Sequence, residues 1–295
     1  MSTAVGSDVV VIPDAPVRKP KRRWTRFILP VFTLAMIVYL AFPVLVMIIY
    51  SFNVIPETGE SERQTTQFTC CTLLHWQNVF KVPELNAALL ESIKVAFPAA
   101  FFATIIGTLV GLVLARYTFR GRGMTNFIIF LAIAVPEIVL GSSLLAMYVQ
   151  LGVSKPLGFS VPLGYWSILL SHIAFSIAFV AITVRARASG LDRSLENAAE
   201  DLFANPWTTF WRVTFPLILP GIVAGFLLAL VLSLDDFVIT NFVNGSTNTF
   251  PTWVYGATKL GLPPQVNVWG TVLFTVGIAV AVLQVVRTRR ESVSS

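Results

Sequence analysis

Apolar residues run along this chain in long unbroken blocks, not at the alternating or three-four spacing of a water-facing fold. Six blocks meet the ~20 residues that a helix needs to cross a hydrocarbon core of about 30 Å. They cover 27–52, 88–115, 125–150, 164–185, 216–243 and 267–286. A helix satisfies its own backbone hydrogen bonds, which is the condition for standing in lipid. No series of alternating ten-residue strands suggests a barrel. The pattern predicts an all-α polytopic membrane protein with six transmembrane helices. The first block far exceeds the roughly 7–15 apolar residues of a secretion-signal core, and no small-residue cleavage site follows it. It reads as a retained span.

Composition agrees. The chain is 55% hydrophobic and 12% charged, about half the ~25% charge of soluble domains, with a mean hydropathy of +0.76. The net charge of +6 does not point to nucleic acid, because the cations cluster beside apolar blocks. Arg18, Lys19, Lys21, Arg22, Arg23 and Arg26 precede span one. Arg116, Arg120 and Arg122 follow span two, and Arg185, Arg187, Arg193 and Arg212 follow span four. Arg287, Arg289 and Arg290 close the chain. Arg63, Lys81, Lys155 and Lys259 fall on the other side, with Lys94 near the outer end of span two. Cytoplasmic loops carry the excess of Lys and Arg, so both termini are expected in the cytoplasm of a cell-membrane protein. The domain plan is a basic tail over 1–26, a six-span domain over 27–286 and a second tail over 287–295. Residues 1–17 are expected to be disordered.

The loops are unequal. Residues 53–87 form the longest external one, with a short interfacial helix expected near Leu73–Phe80. Loops 151–163 and 244–266 are rich in Gly and Pro and read as turns with short re-entrant or interfacial pieces. Cys70 and Cys71 are adjacent and read as ordinary thiols. With His75 and His172 far apart, no metal-ligand spacing exists. The chain lacks a Gly-x-x-x-x-Gly-Lys-Ser/Thr phosphate loop, a Gly-x-Ser-x-Gly elbow and a His-Glu-x-x-His motif. It is not expected to be an enzyme, nor to hold a cofactor or metal.

The cytoplasmic stretch 186–215 is the exception to a plain linker. Asp192 or Ser194 can cap a helix start, and Leu195–Leu202 contains good helix formers. Asn205-Pro206 is a breaker, and Pro206 suits the first turn of a second helix carrying Trp207, Phe210 and Trp211 before Pro216 and Pro220. A helix-turn-helix on the membrane surface is expected. Ala198 and Ala199 leave room for another protein, and Glu196, Glu200, Asp201 and Arg212 supply polar contacts.

This stretch resembles the "EAA loop" of bacterial ABC importer permeases. The usual order is Glu-Ala-Ala, three residues, Gly, nine residues, then Ile-x-Leu-Pro. It stands here as Asn197-Ala198-Ala199, Phe203 and Val213-Thr214-Phe215-Pro216. Asn197 replaces the usual glutamate beside Glu196. Phe203 replaces the usual glycine, so the turn is expected to find a geometry other than positive φ. Val135-Pro136-Glu137-Ile138-Val139, Ser171-His172-Ile173-Ala174-Phe175 and Leu232-Ser233-Leu234-Asp235-Asp236-Phe237-Val238 resemble the second permease subunit of spermidine and putrescine importers. The resemblance implies the type I importer permease fold. It also implies a second permease, two ATPase subunits carrying ATP and Mg²⁺, and an extracytoplasmic solute-binding protein. Glu196, Asn197, Ala198, Ala199, Asp201, Leu202 and Phe203 would meet the ATPase, whose closure would rotate spans three to five.

Acids inside a membrane are expensive and face a cavity or a partner. Glu137 stands about 20 Å, and Asp235 roughly 28 Å, from the cytoplasmic ends of their blocks at 1.5 Å per residue. Glu137, Asp235 and Asp236 are thus candidates for a cation pathway, with Trp253 and Tyr255 as rim aromatics suited to cation–π contact. The same residues also fit plainer roles. Glu137 can pair with a neighbour or a backbone donor, the aspartates can cap a helix end, and the aromatics can anchor at the interface. Adjacent residues on a helix point about 100° apart, so the two aspartates do not share one cavity equally. His172 reads as an interhelical hydrogen-bonding group. Another small organic ion or a metal chelate is the alternative solute. A proton-coupled transporter working through Glu137 and Asp235, and a membrane scaffold, are the rival classes.

Overall fold

The computed structural model describes residues 25–54, 68, 71–154, 161–259 and 261–293. The readings for residues 1–17, for Cys70 and for residues 155–160 lie outside this set. The chain divides into two compact units, residues 1–47 and 48–295. In the first, α1 (Thr25–Tyr50) begins. Its side chains Phe27, Leu29, Phe32, Leu34 and Tyr39 are exposed on all sides of the helix, as suits a lipid-facing span.

In the second unit, α2 (Leu74–Gln77) and a 3₁₀ turn (Val79–Lys81) occupy the place foreseen for the interfacial helix. His75 is buried there, its Nε2 2.8 Å from the Asn53 carbonyl. The long helices are α3 (Pro83–Arg116), α6 (Tyr165–Ser189) and α12 (Gln265–Val293). Between them lie α4 (Arg122–Ala134), α5 (Glu137–Ser154) and α7 (Ser194–Asp201). Next come α8 (Pro206–Thr209), a π-turn (Phe210–Thr214) and α9 (Phe215–Asp235). Short helices α10 (Val238–Val243) and α11 (Phe250–Thr258) precede α12. Five helices are long and apolar enough to span a membrane, and the bent pair α4–α5 makes a sixth.

Helix α6 is the most enclosed, with 61% of its apolar window buried against 44% for α3. It packs on both α3 and α9, which also meet each other. Lipid tails are as apolar as leucine, so helices associate in a bilayer through close packing, not through escape from water. The contact surfaces accordingly carry small residues. Ala96, Ala99, Ala100 and Ala103 are fully buried along α3. A Cβ at Gly107 would stand 2.7 Å from Val180 Cβ, and one at Gly111 would stand 2.6 Å from the Ala181 carbonyl oxygen. A Cβ at Gly221 of α9 would meet the Arg187 side chain at 2.7 Å. Large side chains such as Leu90, Phe97, Phe101 and Ile105 of α3 are exposed, on the lipid side of the same helix.

Three elements differ from the sequence expectation. The third block is not one helix. It breaks at Val135–Pro136 with a bend of 106°. The residue before a proline avoids the helical region, and Val135 is extended at φ −68°, ψ 129°. The fifth block stops at Asp235, not 243, because Asp236 turns extended at φ −65°, ψ 117° and α10 starts afresh. The second cytoplasmic helix does not end at Pro216. Residues 206–235 form one continuous helical rod. Its π-turn, in which the Phe215 N–H donates to the Phe210 carbonyl, takes up the misfit that Pro216 brings as it enters the rod.

We expect Gly111→Ala to destabilise the α3–α6 contact by about 1–3 kcal/mol, the usual range for overpacking. Gly123→Ala, whose Cβ meets nothing within 4 Å, should be neutral. A lower Tm for the first variant alone, in detergent solution, checks this.

Candidate functional site

Helix α7 has eight residues, too few to persist alone in water. Its neighbours hold it. Asp192 Oδ1 accepts the Ser194 N–H at 2.9 Å. The Ser194 hydroxyl and N–H together hold the Asp192 carboxyl below its ordinary value. Arg193, not Asp192, occupies the N-cap, and a depressed native pKa means that the Asp192 hydrogen bond is fully made above the usual carboxylate range and is lost as pH falls through the lowered value. Glu196 Oε1 takes an ion pair from Arg116 at 3.0 Å and a hydrogen bond from the Thr214 hydroxyl at 2.9 Å. Arg193 donates to the Arg116 carbonyl at 2.7 Å. The knob is thereby tied to the end of α3 and to the π-turn.

Further arginines lace the same end of the bundle. Arg185 donates to Asn126 Oδ1 at 2.6 Å, Arg122 to the Leu114 carbonyl at 3.0 Å, and Arg187 to the Leu217 carbonyl at 3.1 Å. Pro206 stands in the first turn of α8, as the sequence suggested, and Asn205, expected as a breaker, also caps that helix through the Thr208 N–H at 2.8 Å. Trp207, Trp211 and Phe215 form a run of ring contacts, 5.7 Å and 4.8 Å between centroids.

The turn after α7 overturns one expectation. Phe203 takes φ 60°, the left-handed geometry that the glycine substitution was expected to forbid. It completes a Schellman motif. The Ala204 N–H donates to the Ala199 carbonyl at 3.0 Å and the Phe203 N–H to the Glu200 carbonyl at 2.9 Å, satisfying the helix end. The left-handed region costs a residue with a Cβ roughly 1–2 kcal/mol. The Phe203 ring is 99% exposed and Leu202 82% exposed. Asn197, Ala198 and Asp201 are exposed too, while Ala199 is half-buried.

The acids part company. Asp236 is buried. Its Oδ2 accepts the Thr240 N–H at 2.8 Å and the Thr240 hydroxyl at 2.7 Å, and its Oδ1 accepts the Ile239 N–H at 3.3 Å. His172 completes the cluster. Its Nε2 lies 2.9 Å from Thr240 Oγ1 and 3.2 Å from Asp236 Oδ2, and its Nδ1 lies 2.6 Å from Ser233 Oγ. The Thr240 hydroxyl donates its hydrogen bond to the carboxylate, so its oxygen accepts from Nε2–H. His172 is thus the interhelical group that the sequence suggested. Asp235, one residue earlier, is exposed.

Glu137 is exposed at the first position of α5, where the helix N-terminus favours its charge. Helix α5 packs on α10, and a Cβ at Gly141 would stand 2.7 Å from the Phe242 ring. The two helices that start at the two breaks therefore lie together. Tyr255 is exposed and meets the Phe237 ring at 4.7 Å, tilted by 46°, with Lys259 Nζ 5.6 Å over its ring. Trp253, two residues away on α11, is half-buried and points to a different face. A hollow of about 640 Å³ lined by Ile49, Phe52, Phe68, Cys71, Thr72 and Leu73 touches none of the candidate residues. Sequence reasoning missed Ser233, Thr240 and Arg116. The Asp-x-x-x-Thr spacing after an apolar block was the available signal for Thr240.

Six candidate spans and a charged helical knob between the fourth and fifth fit an ABC importer permease. Residues 107–288 match the family described as binding-protein-dependent transport system inner membrane component, and the chain belongs to this family of non-catalytic, multi-pass inner membrane subunits. It is 32% identical to the spermidine/putrescine transport system permease protein PotC of Haemophilus influenzae, over 90% of this chain and 98% of that one. It is 35% identical to the putrescine transport system permease protein PotI of Escherichia coli, over 81% and 83%. Its fold matches a bacterial ABC transporter involved in import of the acidic polysaccharide alginate, with a TM-score of 0.62 at 16% identity over 93% and 99% of the two chains. It also matches the MetNI methionine ABC transporter, with a TM-score of 0.54 at 19% identity over 70% and 93%.

Arg116→Ala should leave Glu196 without its cation and loosen the knob by about 1.5–3 kcal/mol, the range for hydrogen bonds to charged groups. Hydrogen exchange at residues 194–204 should speed up, with exchange in α6 unchanged.

Proposed function

We propose that this permease carries polyamines of the spermidine and putrescine class. It would do so with a second permease, two ATPase subunits that hold ATP and Mg²⁺, and an extracytoplasmic solute-binding protein. Its tails over 1–26 and 287–295 are cytoplasmic, as the arginines at the knob end of the bundle support. The observation that carries the solute reading is the split between neighbouring carboxylates. Asp236 spends its oxygens on Thr240, Ile239 and His172, while Asp235 stays exposed at the helix break. Phe237 follows two residues on, its ring meets that of Tyr255, and the Tyr255 face already accepts an ammonium, that of Lys259. A polyamine is a row of ammonium groups joined by methylenes. It is suited by an accessible carboxylate beside an aromatic wall. The PotC and PotI relatives support the same class. Glu137, exposed on the helix packed against α10, is assigned to the same pathway. Trp253 is assigned to its rim.

At the cytoplasmic end, Asn197, Ala198, Asp201, Leu202 and Phe203 form the ATPase contact. Glu196 acts through Arg116 and Thr214 to hold the knob in place, and half-buried Ala199 lets α7 lie close. ATP-driven closure of the ATPases would move the knob and, through the rigid rod 206–235, turn the cavity from outward- to inward-facing. This requires the two states to differ in affinity for the partners.

Asp235→Asn should cut uptake of labelled spermidine at least about tenfold at normal membrane abundance, in the range for a desolvated charge-assisted contact. Asp236→Asn should chiefly lower Tm and abundance. Undiminished spermidine uptake by Asp235→Asn would sink the cation pathway and favour another small organic ion or a metal chelate. Ala198→Asp should abolish uptake while abundance holds.

A further inference from the structure

The turn that closes α7 puts a bulky aromatic residue where the backbone favours glycine. Phe203 stands at φ 60°, its ring is 99% exposed, and exposed Leu202 lies beside it. The Schellman hydrogen bonds of Phe203 and Ala204 are made by backbone alone. The ring contributes nothing to them, and a glycine would form the same turn without strain. A side chain that strains its own backbone and is bare to solvent gains nothing within the chain. Its return must lie in contact with something else.

Charge decides what that is. Glu200 and Asp201 precede the ring and are both exposed. The cytoplasmic leaflet is negative, at about −30 mV, and repels such a pair. Trp207 and Trp211, by contrast, open the rod that becomes span five and suit the lipid interface. We propose that Phe203 is an apolar anchor that inserts into a hydrophobic pocket on the ATPase subunit, rimmed by cations that meet Glu200 and Asp201. The inference rests on the reading of α7 as the ATPase contact and adds to it a single dominant residue. Complementarity to this ring then fixes which ATPase the permease accepts. An ATPase shaped for a glycine at this turn lacks the volume to receive it.

The strain makes the test two-signed. The full permease, paired with its second permease in nanodiscs, is titrated with its own ATPase subunit purified apart. Phe203→Gly should slow amide exchange at Leu202–Ala204, because the turn is relieved, and should yet weaken ATPase binding about tenfold or more, as for an interface hot spot. Phe203→Ala keeps the strain and loses the ring, and should weaken binding equally. A structural role for the ring would instead move exchange and binding in the same direction. Ala198→Asp in the same titration separates the two layers of the reading. Should Ala198→Asp abolish binding while Phe203→Gly retains the parental affinity, the anchor is overturned and α7 remains the contact. Should neither variant change binding, both readings fall. Phe203→Cys should react rapidly with a water-soluble maleimide, over the parental background from Cys70 and Cys71, and be protected when the ATPase is added. Slow reaction without ATPase would place the position in lipid and also overturn the proposal.

Discussion

Every interruption of a helix in lipid must have its freed backbone groups satisfied from within the chain, because no water is there to do it. Asp236 meets this condition where α9 gives way to α10. Its carboxylate takes the first N–H groups of the new helix, while His172 and Ser233 tie the break to α6 and α9. At the other break, the Pro136 carbonyl accepts from Val139 and Leu140 at 2.9 and 3.1 Å, and a proline has no N–H to orphan. The two resulting helices, α5 and α10, share the core of Tyr148, Ile168, Phe175, Ile239 and Val243. The α9–α10 break is enclosed by protein at Asp236, Ile239 and Thr240, while the α4–α5 break leaves Pro136, Glu137, Ile138 and Val139 exposed. Such breaks are also where a permease needs backbone irregularity and exposed acids.

The same network explains how adjacent aspartates come to differ. Asp235 is the last residue of a helix and Asp236 the first extended one, so a single change of backbone direction sends one side chain inward and leaves the other exposed. The buried carboxylate has every oxygen committed, which fixes the break. The fixed break in turn sets the position of Asp235 and of Phe237, whose ring holds Tyr255. An exposed acid at a membrane helix end is inexpensive only if hydrated or facing a cation, and its setting in this permease supplies the aromatic wall that a methylene-linked cation would use.

The fold was legible where apolar length alone decides it. Blocks one, two, four and six became helices close to their expected bounds, and the knob appeared between Asp192 and Asn205, although Arg193 stands at its N-cap in place of Asp192 or Ser194. What the sequence hid was geometry inside a block. A proline at 136 does not announce a bend of 106°, since prolines 98 and 220 sit within helices that continue. The difference lies in whether neighbouring helices can re-satisfy the backbone, which apolar patterning does not encode. The pairing of Glu196 with Arg116, 80 residues earlier, depends on the end of α3 lying beside the start of α7. No local signal carries that. Phe203 failed for the opposite reason. The local preference against positive φ was real, and the Schellman hydrogen bonds outweighed it.

That last case bears on how motion crosses the molecule. A knob that transmits force must not yield before the helix it drives. α7 is short, yet it is clamped by an ion pair to α3, by Thr214 to the π-turn, and by Arg193 to the α3 carbonyl. The π-turn leads without interruption into the rod 206–235, and α9 bears on α6 through Gly225 at Val180. In the proposed coupling, displacement at the knob would have a packed route to the α9–α10 break. The small residues that let α3, α6 and α9 approach are what make this route stiff, because a gap at Gly107, Gly111 or Gly225 would let the helices slide past one another. Under the proposed coupling, close packing in the bundle and contact at the surface become one mechanical requirement.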